Sequence, residues 1–242
     1  MCAAVPLAYC GQITVSPAAM SLKGPAGNAT TQTFRVLNLT DSVYAFSVDV
    51  SDVRVENGNR VFIPAEEGAM SLASMSTVSV KHFELKAGEQ QTVPVTFVLP
   101  SRTALRAVAV FFRGLPAQPN PGPKIRLNLG VVVDFSITDD VDLQVSTPKV
   151  SQQTAIANTV IREELANSGP EPANIRGVAV ILDATGQMIG KAAFDQKRLL
   201  PGERNVLRAE YARALSSGQY RVLCSLEYAG RTVTKTTELL IP

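Results

Sequence analysis

The side chains with chemical potential are few in this chain, and they are scattered. His82 is the only histidine among 242 residues. One histidine rules out most Ser-His-Asp triads and every His-rich metal site. It stands in "VSVKHFEL", where it reads as a surface or half-buried strand residue. The acidic pairs Glu66-Glu67, Asp139-Asp140 and Glu163-Glu164 read as solvated carboxylates in turns or at strand edges. Cys224, in "YRVLCSLEY", shares a strand face with Tyr220, Val222 and Leu226 and reads as a small buried hydrophobe. "NAT" at Asn28 and "NLT" at Asn38 match the glycosylation acceptor pattern and read here as turn chemistry. There is no Gly-rich phosphate loop, no nucleophile elbow and no metal-ligand spacing. The sequence therefore offers no catalytic constellation, no metal site and no cofactor site, and binding is the chemistry left to explain.

Composition bounds the partners. The chain is 45% hydrophobic and 18% charged, with a net charge of +2. That balance gives no argument for nucleic acid or an anionic membrane. No apolar run reaches the ~20 residues of a membrane span. The opening "MCAAVPLAYCGQ" is apolar and has no basic residue before Lys23. It reads as the tail of a signal peptide, residues 1–11, with Ala8 and Cys10 at the −3 and −1 positions. A disordered apolar N-terminus and a lipidated Cys10 remain alternatives. The location expected is periplasmic or extracellular. Without Cys2 and Cys10, Cys224 has no internal disulfide partner.

Helical periodicity is almost absent. "TTQTFRVLNLT", "YAFSVDVSDVRV", "QQTVPVTFVL" and "RAVAVFFRG" are rich in Val, Thr and Phe and alternate as strands do. Pro, Gly, Asn and Ser break them at the short spacing of a β-sandwich. "ERNVLRAEYARAL" could pass for a helix, but an internal repeat argues otherwise. "LKAGEQQTVPV" aligns with "LLPGERNVLRA", pairing Gly88 with Gly202 and Glu89 with Glu203. Upstream, "VLNLTD" at Asn38 resembles "ELANSG" at Asn167. Two copies of one plan predict an all-β chain of two immunoglobulin-like β-sandwich domains in tandem. The domains expected are 12–138 and 139–242, joined between Ser136 and Asp142. In this register Asn205 to Glu210 is a strand.

The most informative stretch is "KIRLNLGVVVDFSITDD". Ile125, Leu127, Leu129, Val131, Val133, Phe135 and Ile137 alternate with mostly polar or small residues. One apolar face this long exceeds what a small sandwich buries, since strands typically run ~5–6 residues. A long uncovered apolar edge is an aggregation hazard, so something must cover it.

The first domain resembles the N-terminal domain of periplasmic pilus-assembly chaperones of the chaperone–usher type, the PapD-like fold. The likeness lies in "ITVSPAAMSLKGPAGNATTQTFRVLNLTDSVYAFSVDV", "VKHFELKAGEQQTVPV" and "RAVAVFFRGLP", followed by a Pro/Gly loop and the long alternating strand. It covers about residues 12–138 in order. The resemblance implies a chaperone that lends apolar side chains to a pilus or surface-fibre subunit lacking its last strand. The donors would be Ile125, Leu127, Leu129 and Val131, with Val133, Phe135 and Ile137 in the chaperone's own core. It implies subunits as partners, with an outer-membrane usher as a further candidate. That family holds a subunit's C-terminal carboxylate with two basic residues, which would fall near Ala19 and Asp134; neither is basic. Arg126, Lys124 or Lys23 are the candidates to stand in for that pair. The alternative reading is a structural or adhesive cell-surface protein without chaperone activity; "LKAGEQQTV" has the look of two-domain Gram-positive surface proteins that bind peptidoglycan.

Overall fold

The computed structural model describes residues 12–65, 70–101, 104–117, 126–153 and 158–242. The signal-peptide segment 1–11, the Glu66-Glu67 pair and the donor Ile125 lie outside the described residues. No helix occurs among the described residues. The described chain divides into two compact units. One runs to Arg54 and resumes over Phe62–Ile137; the other comprises Val55–Val61 and Thr138–Pro242.

The first ten strands are β1 (Ile13–Ser16), β2 (Ala19–Lys23), β3 (Ala29–Asn38), β4 (Tyr44–Glu56), β5 (Asn59–Pro64), β6 (Thr77–Val78), β7 (His82–Leu85), β8 (Gln90–Val98), β9 (Ala107–Pro116) and β10 (Leu127–Ser136). One sheet has the order β1-β3-β8-β6; the other has the order β2-β10-β9-β4-β5, with β7 also paired to β4. Between β1 and β2 the chain passes from one sheet to the other through the cis Ser16–Pro17 peptide bond. Alternation gives each strand one inward face. Phe34, Val93, Val95, Phe97, Val110, Phe112, Val133 and Phe135 meet between the sheets with no measurable exposure. Phe97 stands T-shaped to both Phe34 and Phe135, an arrangement that adds to the value of their buried area.

The remaining strands are β11 (Leu143–Val145), β12 (Lys149–Gln153), β13 (Asn158–Asn167), β14 (Ala173–Asp183), β15 (Met188–Ala193), β16 (Lys197–Leu199), β17 (Arg204–Tyr211), β18 (Gly218–Tyr228) and β19 (Arg231–Ile241). β13 pairs with β11, β12 and β17 in one sheet. β15-β14-β18-β19, with β16 on β14, make the other. β17 is the segment with a helical look. In it Leu207 and Ala209 face the core while Val206 and Arg208 face out, so period two prevails.

Both units contain the same turn. Gly88 and Gly202 have φ of +75° and +79°, which suits glycine because it has no Cβ to clash. Their N–H groups donate to the Asn38 and Asn167 carbonyls at 2.8 and 2.7 Å, and the Asn38 and Asn167 N–H groups donate to the Glu89 and Glu203 carbonyls at 3.0 Å. The two glutamates accept from the Lys86 and Leu200 N–H groups at 2.9 and 2.8 Å. The Asn38 side-chain amide donates to the Ser42, Leu85 and Lys86 carbonyls. That of Asn167 donates to the Glu171 and Leu199 carbonyls. The repeat seen in the sequence is this clamp, used twice. Asn38 is fully buried, in keeping with a turn residue rather than a glycan acceptor.

Asn167→Ala is expected to lower the stability of the second unit by roughly 2–4 kcal/mol, because buried carbonyls and the Gly169 N–H lose their partners. Urea denaturation followed by far-UV circular dichroism measures this. A loss below about 0.5 kcal/mol, the size of an ordinary surface change, would mean the clamp is idle.

Glu163 corrects the reading of the acidic pairs as solvated. On β13, Ile161, Glu163 and Leu165 share the inner face, while Glu164 points out to Lys149. Glu163 is fully buried, and neither carboxylate oxygen has a hydrogen-bond partner among the described residues. Burial raises its pKa to about 7, against an opposing pull from Lys235. Cys224 lies buried in the same core. Its thiol is pushed up to about 12, first by burial and then by the charge on Glu163, which makes it an inert thiol. Asp139 and Asp140 are exposed, as read.

Candidate partner-binding edge

β9 and β10 are antiparallel from Leu127 opposite Gly114 to Asp134 opposite Ala107. On its other side β10 meets β2, in parallel, only from Val132 opposite Ala19 to Ser136 opposite Lys23. The strand therefore has two parts. Val132–Asp134 pairs with β9 on one side and β2 on the other, and β2 continues alongside to Ser136, whereas Leu127–Val131 has one neighbour among the described strands. The cause is the reach of β2, which pairs with β10 over only five residues, beginning at Ala19. On the side away from β9, Leu127–Val131 makes no strand pairing among the described residues.

The side chains divide in the same way. Val133 and Phe135 are fully buried in the first core. Val131 is 2% exposed and belongs to that core too. Leu129 is half-buried at the margin of the core, and Leu127 is half-buried outside it. Both face inward by the parity of Val131. Across β9, Leu127 is opposite Gly114, whose missing side chain leaves room for the Phe46 ring. Phe46 in turn stacks on Phe83 at 5.2 Å. The apolar inner surface thus continues across β7, β4 and β9 to the open part of β10.

The positions matched to a carboxylate anchor are close together but not cationic. Ala19 pairs with Val132, and Asp134 pairs with Ser21. Ala19 is exposed; Asp134 is buried, at 2% exposure. Lys23 and Arg126 are exposed, and Lys124 lies outside the described residues. His82 is exposed on β7 opposite Ser47. No group of three or more His, Cys, Asp or Glu among the described residues could hold a metal ion. No helix among them is long and apolar enough to cross a membrane.

No protein-family model matches the chain, and no curated protein matches it. Among solved structures the chain is similar to pilus chaperones of the chaperone–usher type. The class 5 fimbriae chaperone CfaA has 14% identity and a TM-score of 0.45, covering 96% of this chain and 100% of that one. The Salmonella enterica SafA pilin–SafB chaperone complex gives 14% and 0.46, covering 95% and 96%. The chaperone–tip adhesin complex CsuC–CsuE of Acinetobacter baumannii gives 12% and 0.45, covering 94% and 97%.

Proposed function

We propose that this chain is a secreted, periplasmic chaperone-like protein that binds subunits of pili or surface fibres by β-strand pairing at the open part of β10. The observation that carries this reading is the one-sided pairing of Leu127–Val131 beside two half-buried leucines. A subunit strand laid against this edge gains main-chain hydrogen bonds, and alternate side chains fill its pockets. Leu127 and Leu129 are the side chains lent, with Ile125 as the next of the same parity. Each is already half-covered, so completing their burial contributes roughly 1.5–3 kcal/mol for the pair. Val131 contributes its backbone.

Neither Ala19 nor Asp134 is basic, so the grip rests on strand pairing and apolar contact rather than on two cations holding a carboxylate. A subunit whose C-terminus is extended by a few residues is therefore expected to be captured within about threefold of the unextended one. Loss of capture on extension would restore a carboxylate anchor to the mechanism. The basic test is periplasmic co-expression of the tagged chain with a fibre subunit lacking its last strand. The subunit is expected to accumulate and to co-purify. A subunit that is degraded or aggregated equally with and without the chain would overturn the proposal.

A further inference from the structure

The outer face of the β10 sheet carries a cluster that belongs to neither core. Gly130 lies directly opposite Phe111 of β9, inside the part of β10 that has one neighbour among the described strands. A Cβ at Gly130 would meet the Phe111 ring at 2.8 and 3.2 Å, so the ring lies over the glycine and occupies the place of its side chain. Phe62 stands edge-on to Phe111 at 5.4 Å and 79°. The Arg113 guanidinium sits over the same ring at 5.2 Å. Arg113 is itself fixed by two hydrogen bonds to the Asp49 carboxylate, at 2.7 and 3.1 Å. Its pKa is raised chiefly by that hydrogen bond. Phe111 is thus held from the side and from above, and it presses on the one residue of the open segment that has no side chain.

An aromatic ring laid across a cross-strand glycine replaces the packing that the glycine lacks and pins the register. A glycine in a half-paired strand is otherwise its weakest point. We propose that Phe111 is a positioning residue for partner capture: by covering Gly130 it holds Leu127–Val131 flat against β9, so that the open edge and its leucines are presented already extended. The inference rests on the proposed role of that edge. It goes further in assigning the preorganisation of the edge to the opposite face of the sheet. A strand that is already ordered loses less freedom on binding, and the partner is held more tightly for it.

The test uses the whole chain, first alone and then with a co-expressed fibre subunit. In Phe111→Ala, amide hydrogen exchange over residues 127–131 is expected to rise about tenfold or more, while exchange over 132–136 stays as it was. Subunit capture should fall about tenfold, and the melting temperature should change little because Phe111 lies outside the core. Phe111→Tyr should restore both readouts, whereas Gly130→Val, which evicts the ring, should reproduce the defect with Phe111 intact. Unchanged exchange in Phe111→Ala would overturn the inference, as would faster exchange with undiminished capture. Failure of the edge reading itself is distinguishable, since capture would then survive Leu127→Asp as well.

Discussion

Leu127→Asp is expected to abolish capture of a fibre subunit while leaving the chain folded. Its side chain is half-buried and outside the core cluster, so the folded chain can leave an aspartate there in water. In the complex, that carboxylate would be taken from water without a partner, at a cost of several kcal/mol. Each 1.4 kcal/mol is about tenfold in affinity, so co-purification should drop at least about a hundredfold. Phe135→Asp makes the opposite change on the same strand and face. Phe135 is fully buried against Phe97. Losing the ring alone costs about 3–5 kcal/mol, and the buried charge adds to that. Since a domain's whole stability is about 5–15 kcal/mol, the first unit should melt far lower or fail to fold. If both variants unfold alike, Leu127 is ordinary core and the donor reading is wrong.

The second large effect lies in the other unit and concerns pH. Burial lifts Glu163 from 4.5 to about 7. The native state then holds its proton more tightly than the unfolded chain does. Stability is therefore highest below pH ~4.5 and declines as pH rises toward ~7, above which the decline levels off. A shift of this size corresponds to about 3–4 kcal/mol at most. Glu163→Gln keeps the shape and removes the titration. The variant should be more stable than the natural chain at pH 8, and the two should nearly coincide near pH 5. Lys235 and Cys224 are the charged and titratable groups coupled to Glu163; Lys235→Met should raise the carboxyl pKa further and steepen the decline. Chemical denaturation at pH 5 and pH 8 decides it. Equal slopes with pH in the natural chain and Glu163→Gln would show that Glu163 is charged and solvated in the native state.

Much of this architecture is legible in the sequence because it is local. Period-two alternation marks β3, β4, β8, β9 and β10. The Asn38/Gly88/Glu89 and Asn167/Gly202/Glu203 sets betray the shared turn, since each residue type there answers a specific backbone demand. The repeat also resolves β17, where helix propensity and strand period compete. What escapes the sequence depends on pairing between distant segments. The change in β10 at Val132 is set by where β2 begins, more than 100 residues earlier in the chain. Val131 continues the alternation of Leu127 and Leu129, and it is the family resemblance that implies a donor role for it; its burial in the first core is set by packing, which alternation does not show. Phe111 over Gly130 is invisible until β9 and β10 are in register. Glu163 is marked in the sequence by its alternation with Ile161 and Leu165, while its acidic neighbour suggests a solvated pair.

The most direct measurement of the central claim is amide hydrogen exchange on the chain alone and on the chain co-purified with a fibre subunit. Backbone pairing at the open edge should bury amides between Leu127 and Val131, slowing their exchange strongly in the complex. Val132–Asp134, already flanked by β2 and β9, should change little. A complex in which 127–131 exchanges as fast as in the free chain, with protection appearing elsewhere, would contradict β-strand donation by β10.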